Sequence, residues 1–397
     1  VYKRQVKGWA ARLADAGHEV VSIGKLHYRS TEDPNGFSRE IMPMHVHNGT
    51  GWLTSILRNP PVKLDGADDM AASIGAGETR YTAYDRKITE LACNWIVDAA
   101  KASHARPWTL YVGLVAPHFP LIAPQEFFDL YSDDDIPPPR QYDEADRPRH
   151  PVLDAMRFWS DYDDYFDADK VRIARRAYYG LCSFLDDNIG KIVKAVSNAG
   201  LTGSTRIIYT SDHGDNIGHR GLWGKSVMYE DSVAVPLIMS GPDIPCGASV
   251  ETPVSLVDLH PTLTEFAGEP IHPDDGDLPG TPLSSFFAGP VSDRAVFSEY
   301  HDWSSITGIF MLRKGPWKLV VYPGYASQLF NLEQDPEERD DLAADPARSS
   351  FLQDMENQLA KICDVEEINR QAFADQKSKI VSLGGREAIL KVPDQAY

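Results

Sequence analysis

Three short apolar runs constrain this chain more than any other feature. They read "HEVVSIGK" (18–25), "WTLYVGLV" (108–115) and "RIIYTSD" (206–212). Each is too short for a core helix and too uniformly apolar to alternate between a wet and a dry face. The first and third read as buried strands and the second as a strand. Between them lie helical patterns. In "YTAYDRKITELACNWIVDAAKAS" (81–103), Tyr84, Ile88, Leu91 and Trp95 fall close to one face. "DKVRIARRAYYGLCSFLDDNIGKIVKAVSNAG" (169–200) is a long helix ending at Gly200. Strands alternating with helices predict an α/β fold: a doubly wound, mostly parallel sheet flanked by helices.

The remaining segments fit that frame. "VKGWAARLADAG" (6–17) reads as an amphipathic helix closed by Gly17 and feeding the first strand. The strand that should precede such a helix in a βαβ unit is not visible. The opening "VYKRQ" back-translates to a sequence resembling the end of a transposon adapter used in library preparation. Residues 1–5 are therefore read as a scar, with the natural gene continuing upstream. Residues 27–80 read as irregular. Residues 131–167 are acidic, Pro-rich and aromatic, and read as a surface excursion that could act as a lid. "VPLIMSG" (235–241) is a further strand, and "SLVDLHPTLTEFAG" (255–268) a short helix. From about residue 291, "RAVFSEY", "ITGIFMLRK" and "WKLVVY" follow in quick succession, then the helix "SFLQDMENQLAKIC". Consecutive strands imply an antiparallel sheet with a helix on it. The expected division is a catalytic α/β domain over 6–290 and a smaller C-terminal α+β domain over 291–397.

The net charge is −19, from 39 basic and 58 acidic residues. That field argues against nucleic acid or an anionic membrane as partner. An anionic substrate would need a local cluster of cations. Cys93, Cys182, Cys246 and Cys363 form no CxxC pair and suit no zinc site, so they are expected to be buried free thiols. A homo-oligomer is compatible with the sequence. The compartment stays open between bacterial cytoplasm and periplasm.

In open α/β sheets, ligands bind beyond the carboxyl ends of the strands. "SIGKLHY" brings Lys25 and His27 there, "GLVAPHFP" brings His118, and "IIYTSDHGD" brings Asp212 and His213, with Lys225 on the loop beyond. Taken singly, Lys25 could be a solvated surface lysine, His118 a turn residue and Asp212 a helix cap. His219 and Arg220 read as residues that order the glycine-rich loop.

At this point the residues resemble a family. "GKLH", "APHFPLIAP", "TSDHGDNIGHRGLWGKSVMYEDSVAVPLIMSGP", "DLHPTL" and "LFNLEQDPEERDDLA", in that order, are similar to the sulfatases of the alkaline phosphatase superfamily, over about residues 7–345. The resemblance implies Lys25 near the nucleophile and the sulfate, and His27 bonded to the nucleophile. It implies His118 and Lys225 at the sulfate and its bridging oxygen, and Asp212 and His213 as ligands of one divalent cation. Calcium is the family's usual ion, with manganese or magnesium also compatible. The implied substrate is a small anionic sulfate ester. Within the family, "GKLHYRSTEDPNGFSREIMPMHVHNGTGW" resembles choline sulfatases, in which the counterpart of Trp52 faces a trimethylammonium group by cation–π contact. Trp52 could equally be a packing aromatic, and choline-O-sulfate is one candidate among small alkyl sulfates.

The pattern also departs from the family. Sulfatases carry C-x-P-S-R or S-x-P-x-R, whose Cys or Ser becomes formylglycine. None of the four cysteines here sits in such a context, and no Ser starts one. The family's first metal ligands, an Asp-Asp pair, are missing as well. Either the chain lacks its front, where formylglycine would lie, or it is a degenerate homologue. The first reading predicts a polypeptide that is inactive by itself and binds metal weakly. Rival functions are a phosphonate or phosphate ester hydrolase of the same superfamily and a non-catalytic binding protein on the same scaffold.

Overall fold

The structure is a computed structural model that describes residues 6–63, 66–289, 291 and 293–392. Residues 1–5, read from sequence as an adapter scar, lie outside the described residues. α1 (Trp9–Asp15) runs into β1 (Val20–Lys25), followed by β2 (Arg39–Met44). α2 (Ala67–Ala72) and β3 (Ile74–Ala76) precede the long α3 (Arg80–Ala99), which Thr79 opens with a capping box. β4 (Thr109–Gly113), β5 (Leu121–Ala123) and the one-turn α4 (Gln125–Phe128) come next. α5 (Pro151–Ser160), α6 (Ala168–Asn198), β6 (Ile207–Thr210), α7 (Glu230–Val233), β7 (Leu237–Ser240) and α8 (Leu259–Phe266) complete the first lobe.

β1 is the centre of a parallel sheet ordered β2-β1-β4. Val21 and Ile23 point into a core with Ile88, Ala92, Trp95 and Ile96 of α3, while Tyr84 and Leu91 pack at its margin. That is the helix face the spacing predicts. β3 and β5 form a parallel pair, and β6 and β7 an antiparallel pair. The second lobe is a four-stranded antiparallel sheet of β8 (Ala295–Tyr300), β9 (Ile309–Lys314), β10 (Trp317–Val321) and β11 (Gln328–Asn331), in sequential order. α9 (Ser349–Ala360) lays Met355 and Leu359 on Phe310, Leu312, Leu319 and Leu329. α10 (Val365–Ser382) follows, and Arg58 pins it back to the first lobe. The buried Arg58 guanidinium lies 4.5 Å over the Phe373 ring and donates to the carbonyls of Ser305 and Thr307.

Four expectations need correction. Residues 27–80 are not irregular throughout, since β2 adds to β1 in parallel and β3 pairs with β5. Its half-exposed strand carries Pro43, which hides the usual apolar signal. Residues 131–167 are no loose lid: Val152, Leu153 and Met156 of α5 are buried against β9, β10 and β11, joining the two lobes. β6 is half-buried rather than buried, because one edge meets β7 and the other opens on a cavity. Finally, none of the four cysteines is fully buried: Cys93 and Cys363 are intermediate, and Cys182 and Cys246 exposed.

Candidate active site

Two glycines shape the first strand end. Gly24 has φ 102°, and a Cβ there would lie 2.4 Å from the Gly113 carbonyl oxygen. A Cβ on Gly113 would lie 2.1 Å from the Lys25 oxygen. Only glycines permit this close crossing of β1 and β4. The register shifts between Ile23 and Lys25, and Lys25 emerges into the cavity. His27 follows at φ 59°, its N–H bonded to the Met44 carbonyl at 2.9 Å. Burial, then Lys25 and Lys225, lowers the His27 pKa.

The second strand end carries His118 between two cis prolyl bonds, Ala116-Pro117 and Phe119-Pro120. Its Nδ1 lies 2.8 Å from the Phe119 carbonyl oxygen. A carbonyl only accepts, so Nδ1 carries the proton in the neutral ring. Burial, followed by Lys225, pushes the His118 pKa down to about 3. This loop is held by Asp85 of α3, which sequence reasoning missed. The fully buried Asp85 carboxylate accepts from the Val115 and Ala116 amides at 2.9 and 2.8 Å. The available signal was a carboxylate one turn before Ile88, on the apolar face of α3.

Burial raises the Asp85 pKa from 3.8 to about 6, against the two amides and Lys25. The unfolded chain releases this proton first as pH rises. The stabilising contribution is therefore complete below pH 3.8 and lost once pH passes about 6. In Asp85→Asn it is absent. The stability difference between wild type and Asp85→Asn should shrink by roughly 2–2.5 kcal/mol between pH 4 and 7. Denaturant titration of both proteins across that range tests this, and a difference flat with pH refutes it.

At the third strand end, Asp212 and His213 follow β6. The His213 Nδ1 lies 2.8 Å from the Gly214 carbonyl oxygen, leaving Nε2 as the lone pair in the neutral ring. Nε2 accepts from the Lys225 ammonium at 2.8 Å, and Asp212 Oδ2 lies 3.6 Å from it. Burial works to raise the Asp212 pKa, but His213, Lys25 and Lys225 together hold it below the usual value. Burial, then Lys25, lowers the Lys225 pKa. Lys225 is exposed and lines the cavity.

The loop between His213 and Lys225 is built around Asp215, whose Oδ1 accepts from the Ile217 and Gly224 amides at 2.8 and 2.9 Å. Arg220, fully buried at φ 58°, pairs with Asp231 at 2.8 Å and lies 3.9 Å over the Tyr229 ring. His219 and Arg220 are thus loop-ordering residues, as the sequence suggests.

Lys25, His27, His118, Asp212, His213 and Lys225 all line one cavity of about 2080 Å³. Trp52 lines it too and packs against Trp303 of the second lobe, ring centroids 5.2 Å apart. Trp52 thus packs on an aromatic ring and also lines the cavity. The donors fall short of a complete divalent-cation site. Asp212 and His213 offer two, and no cluster of three or more candidate ligands occurs among the described residues. Calcium would need about six to eight ligands, mainly oxygens.

Comparison with known proteins places the chain among recognisable relatives. A family model described as Sulfatase matches residues 19–269, and one described as N-sulphoglucosamine sulphohydrolase, C-terminal, matches residues 218–364. The chain is 30% identical to a choline-sulfatase of Rhizobium meliloti, over 87% of this chain and 69% of that protein. It is 31% identical to arylsulfatase K of Xenopus laevis, over 76% of this chain and 61% of that protein. In fold it is similar to a phosphonate monoester hydrolase from Silicibacter pomeroyi, with TM-score 0.68 and 22% identity, over 89% of this chain and 79% of that one. It is also similar to a protein solved with its substrate D-glucosamine-2-N,6-O-disulfate, with TM-score 0.64 and 17% identity, over 94% of this chain and 83% of that one. With the family model covering more than half of its length, the chain belongs to the sulfatase family of the alkaline phosphatase superfamily.

Proposed function

We propose that this protein hydrolyses a small organic sulfate monoester, with choline-O-sulfate as a candidate substrate. The observation that carries this reading is the convergence of two lysines, three histidines and Asp212 at three strand ends in one cavity. A sulfate ester is an anion, and attack at sulfur moves more charge onto the leaving oxygen. Lys25 and Lys225 offset that charge without reorganising, and they create a positive site in an acidic protein. His27 would orient the nucleophile. Lys225 donates toward the leaving oxygen; His118, with its Nδ1 proton directed at the Phe119 carbonyl, donates to a sulfate oxygen only once the bound anion draws a second proton onto Nε2.

None of the four cysteines lines the cavity, and none has the sequence context for formylglycine. The formylglycine nucleophile is therefore assigned to polypeptide outside this sequence. The same holds for the further ligands that a single calcium, manganese or magnesium ion would need beside Asp212 and His213. The choline-sulfatase relative and the cavity-facing Trp52 favour a substrate with a quaternary ammonium group, for which a desolvated cation–π contact is worth about 2 kcal/mol.

The phosphonate reading rests on similarity of fold at 22% identity, which carries no chemistry. Parallel assays on choline-O-sulfate, an aryl sulfate and an aryl phosphonate, with a form extended upstream to include a nucleophile, decide between them. The expected order places the sulfates first, and faster phosphonate turnover overturns it. The 397-residue chain itself should show no turnover. In titration calorimetry it should bind calcium no tighter than about 10⁻³ M, the weak end for such sites.

A further inference from the structure

A second cavity, of about 470 Å³, opens where the two lobes meet. Trp159 of α5, Tyr325 beyond β10 and Phe373 of α10 line it, with Pro60 and Pro61. None of its lining residues lines the larger cavity. Arg58 lines it too, although only 2% exposed. A guanidinium carries five N–H groups. In Arg58, Nε donates to the Ser305 carbonyl at 2.8 Å, and the terminal nitrogens donate to the Thr307 carbonyl at 2.7 Å and to Gln376 Oε1 at 3.2 Å. Each terminal nitrogen therefore keeps one N–H to spare. All three acceptors are neutral, and Arg58 forms no ion pair among the described residues. Burial pushes its pKa down to about 10, against weaker pulls from Tyr300 and Asp302. A buried cation without a counterion is costly. Arg386 of α11 (Arg386–Ile389) brings a second guanidinium to the same loop, donating to the Pro60 and Pro61 carbonyls at 2.7 and 3.3 Å. It too forms no ion pair among the described residues. In a chain of net charge −19, two guanidinium groups without carboxylates mark a place that attracts an anion.

We propose that this cavity binds a small organic monoanion, a carboxylate carried on a flat aromatic body. The two spare N–H groups match the two oxygens of one carboxylate, which a guanidinium takes side by side. The rings of Trp159, Tyr325 and Phe373 and the two prolines offer the flat apolar walls that an aromatic body fills. The volume falls in the usual range for small-molecule sites. No lysine lines the cavity, which disfavours a phosphate dianion or a polyanion. The walls are reachable from solvent, since Tyr325 is 40% exposed and Trp159 only partly buried.

This inference does not depend on the hydrolase reading, and its test involves no turnover. Benzoate is titrated into the 397-residue protein by calorimetry, with benzamide and inorganic sulfate as controls. Benzamide keeps the shape without the charge, and sulfate the charge without the ring. Benzoate is expected to bind about tenfold or more tighter than either. Arg58→Lys keeps the charge but not the fork, and should weaken benzoate binding about tenfold. Trp159→Ala and Tyr325→Ala each remove a wall at a position that is not buried, so they test the site even where Arg58→Lys fails to fold; a similar weakening is expected. Lys225→Ala should leave benzoate binding unchanged. Absent binding overturns the proposal, as does benzamide or sulfate binding as tightly as benzoate. So does benzoate binding that survives both aromatic variants. Loss of binding in Lys225→Ala overturns it as well, since the anion then sits among the strand-end lysines.

Discussion

Lys318→Met is expected to lower the unfolding free energy by about 3–5 kcal/mol, the largest stability effect foreseen for a single side chain here. Lys318 stands on β10, fully buried, with its ammonium 2.7 Å from Glu230 and 2.7 Å from Glu338. Methionine fills similar volume, so packing is largely kept. What is lost is the ammonium that compensates the buried Glu338, while the partly exposed Glu230 keeps Arg313 at 2.9 Å. Glu338 is itself buried at φ 52°, and its other oxygen accepts from the Glu230 amide at 2.6 Å. Burial already pushes the Glu338 pKa up, with Lys318 opposing that rise. Without Lys318, Glu338 must take up a proton or draw in water. Adding Glu338→Gln should therefore recover part of the loss. Denaturant unfolding of the single and double variants measures both effects, and a loss below about 1 kcal/mol would sink the argument. The consequence extends to the site. Glu230 opens α7, five residues after Lys225, so this buried cluster ties the second lobe to the loop that presents Lys225.

The second large effect concerns Lys225→Ala, measured in a form that carries a nucleophile. On an alkyl sulfate, kcat/KM should fall about 10²–10⁴-fold, the usual contribution of a positioned proton donor. A nitrophenolate departs without a proton, so on a nitrophenyl sulfate the loss should be much smaller. The contrast separates donation from simple binding. If Lys225 only grips the sulfate, the two substrates lose equally, and the proposed donor role fails. Lys225 also bonds His213 Nε2 at 2.8 Å, so the variant should be checked for an intact fold by its unfolding curve.

Legibility from sequence varied with the physical source of each feature. The buried strand β1, the partly buried β4 and the helices α3 and α6 were readable, because burial on one or both faces writes a pattern into the residues. β2 was not, since a half-exposed strand containing Pro43 carries no such period. α5 hid inside a segment that composition marks as acidic and loose. Its three core residues, Val152, Leu153 and Met156, are outnumbered there by Asp, Pro and Arg. Among the site residues, Lys25, His118, Asp212 and Lys225 stand at strand ends or on the loop beyond, where chemistry is expected in this fold class. Asp85 escaped notice because its work is done through two backbone amides of another segment, and no spacing along the chain records that.

The order of apolar runs and their polar ends by itself determined the fold class and the list of chemical groups. It did so because strand burial and strand-end position are local properties of the chain. Only the tertiary structure decided that these groups share one cavity, that His213 Nε2 meets Lys225, and that Asp85 braces the His118 loop. Only it disclosed that, among the described residues, β4 and β6 each keep an unpaired edge along that cavity. Those facts depend on how distant segments pack, and packing is a property of the whole molecule.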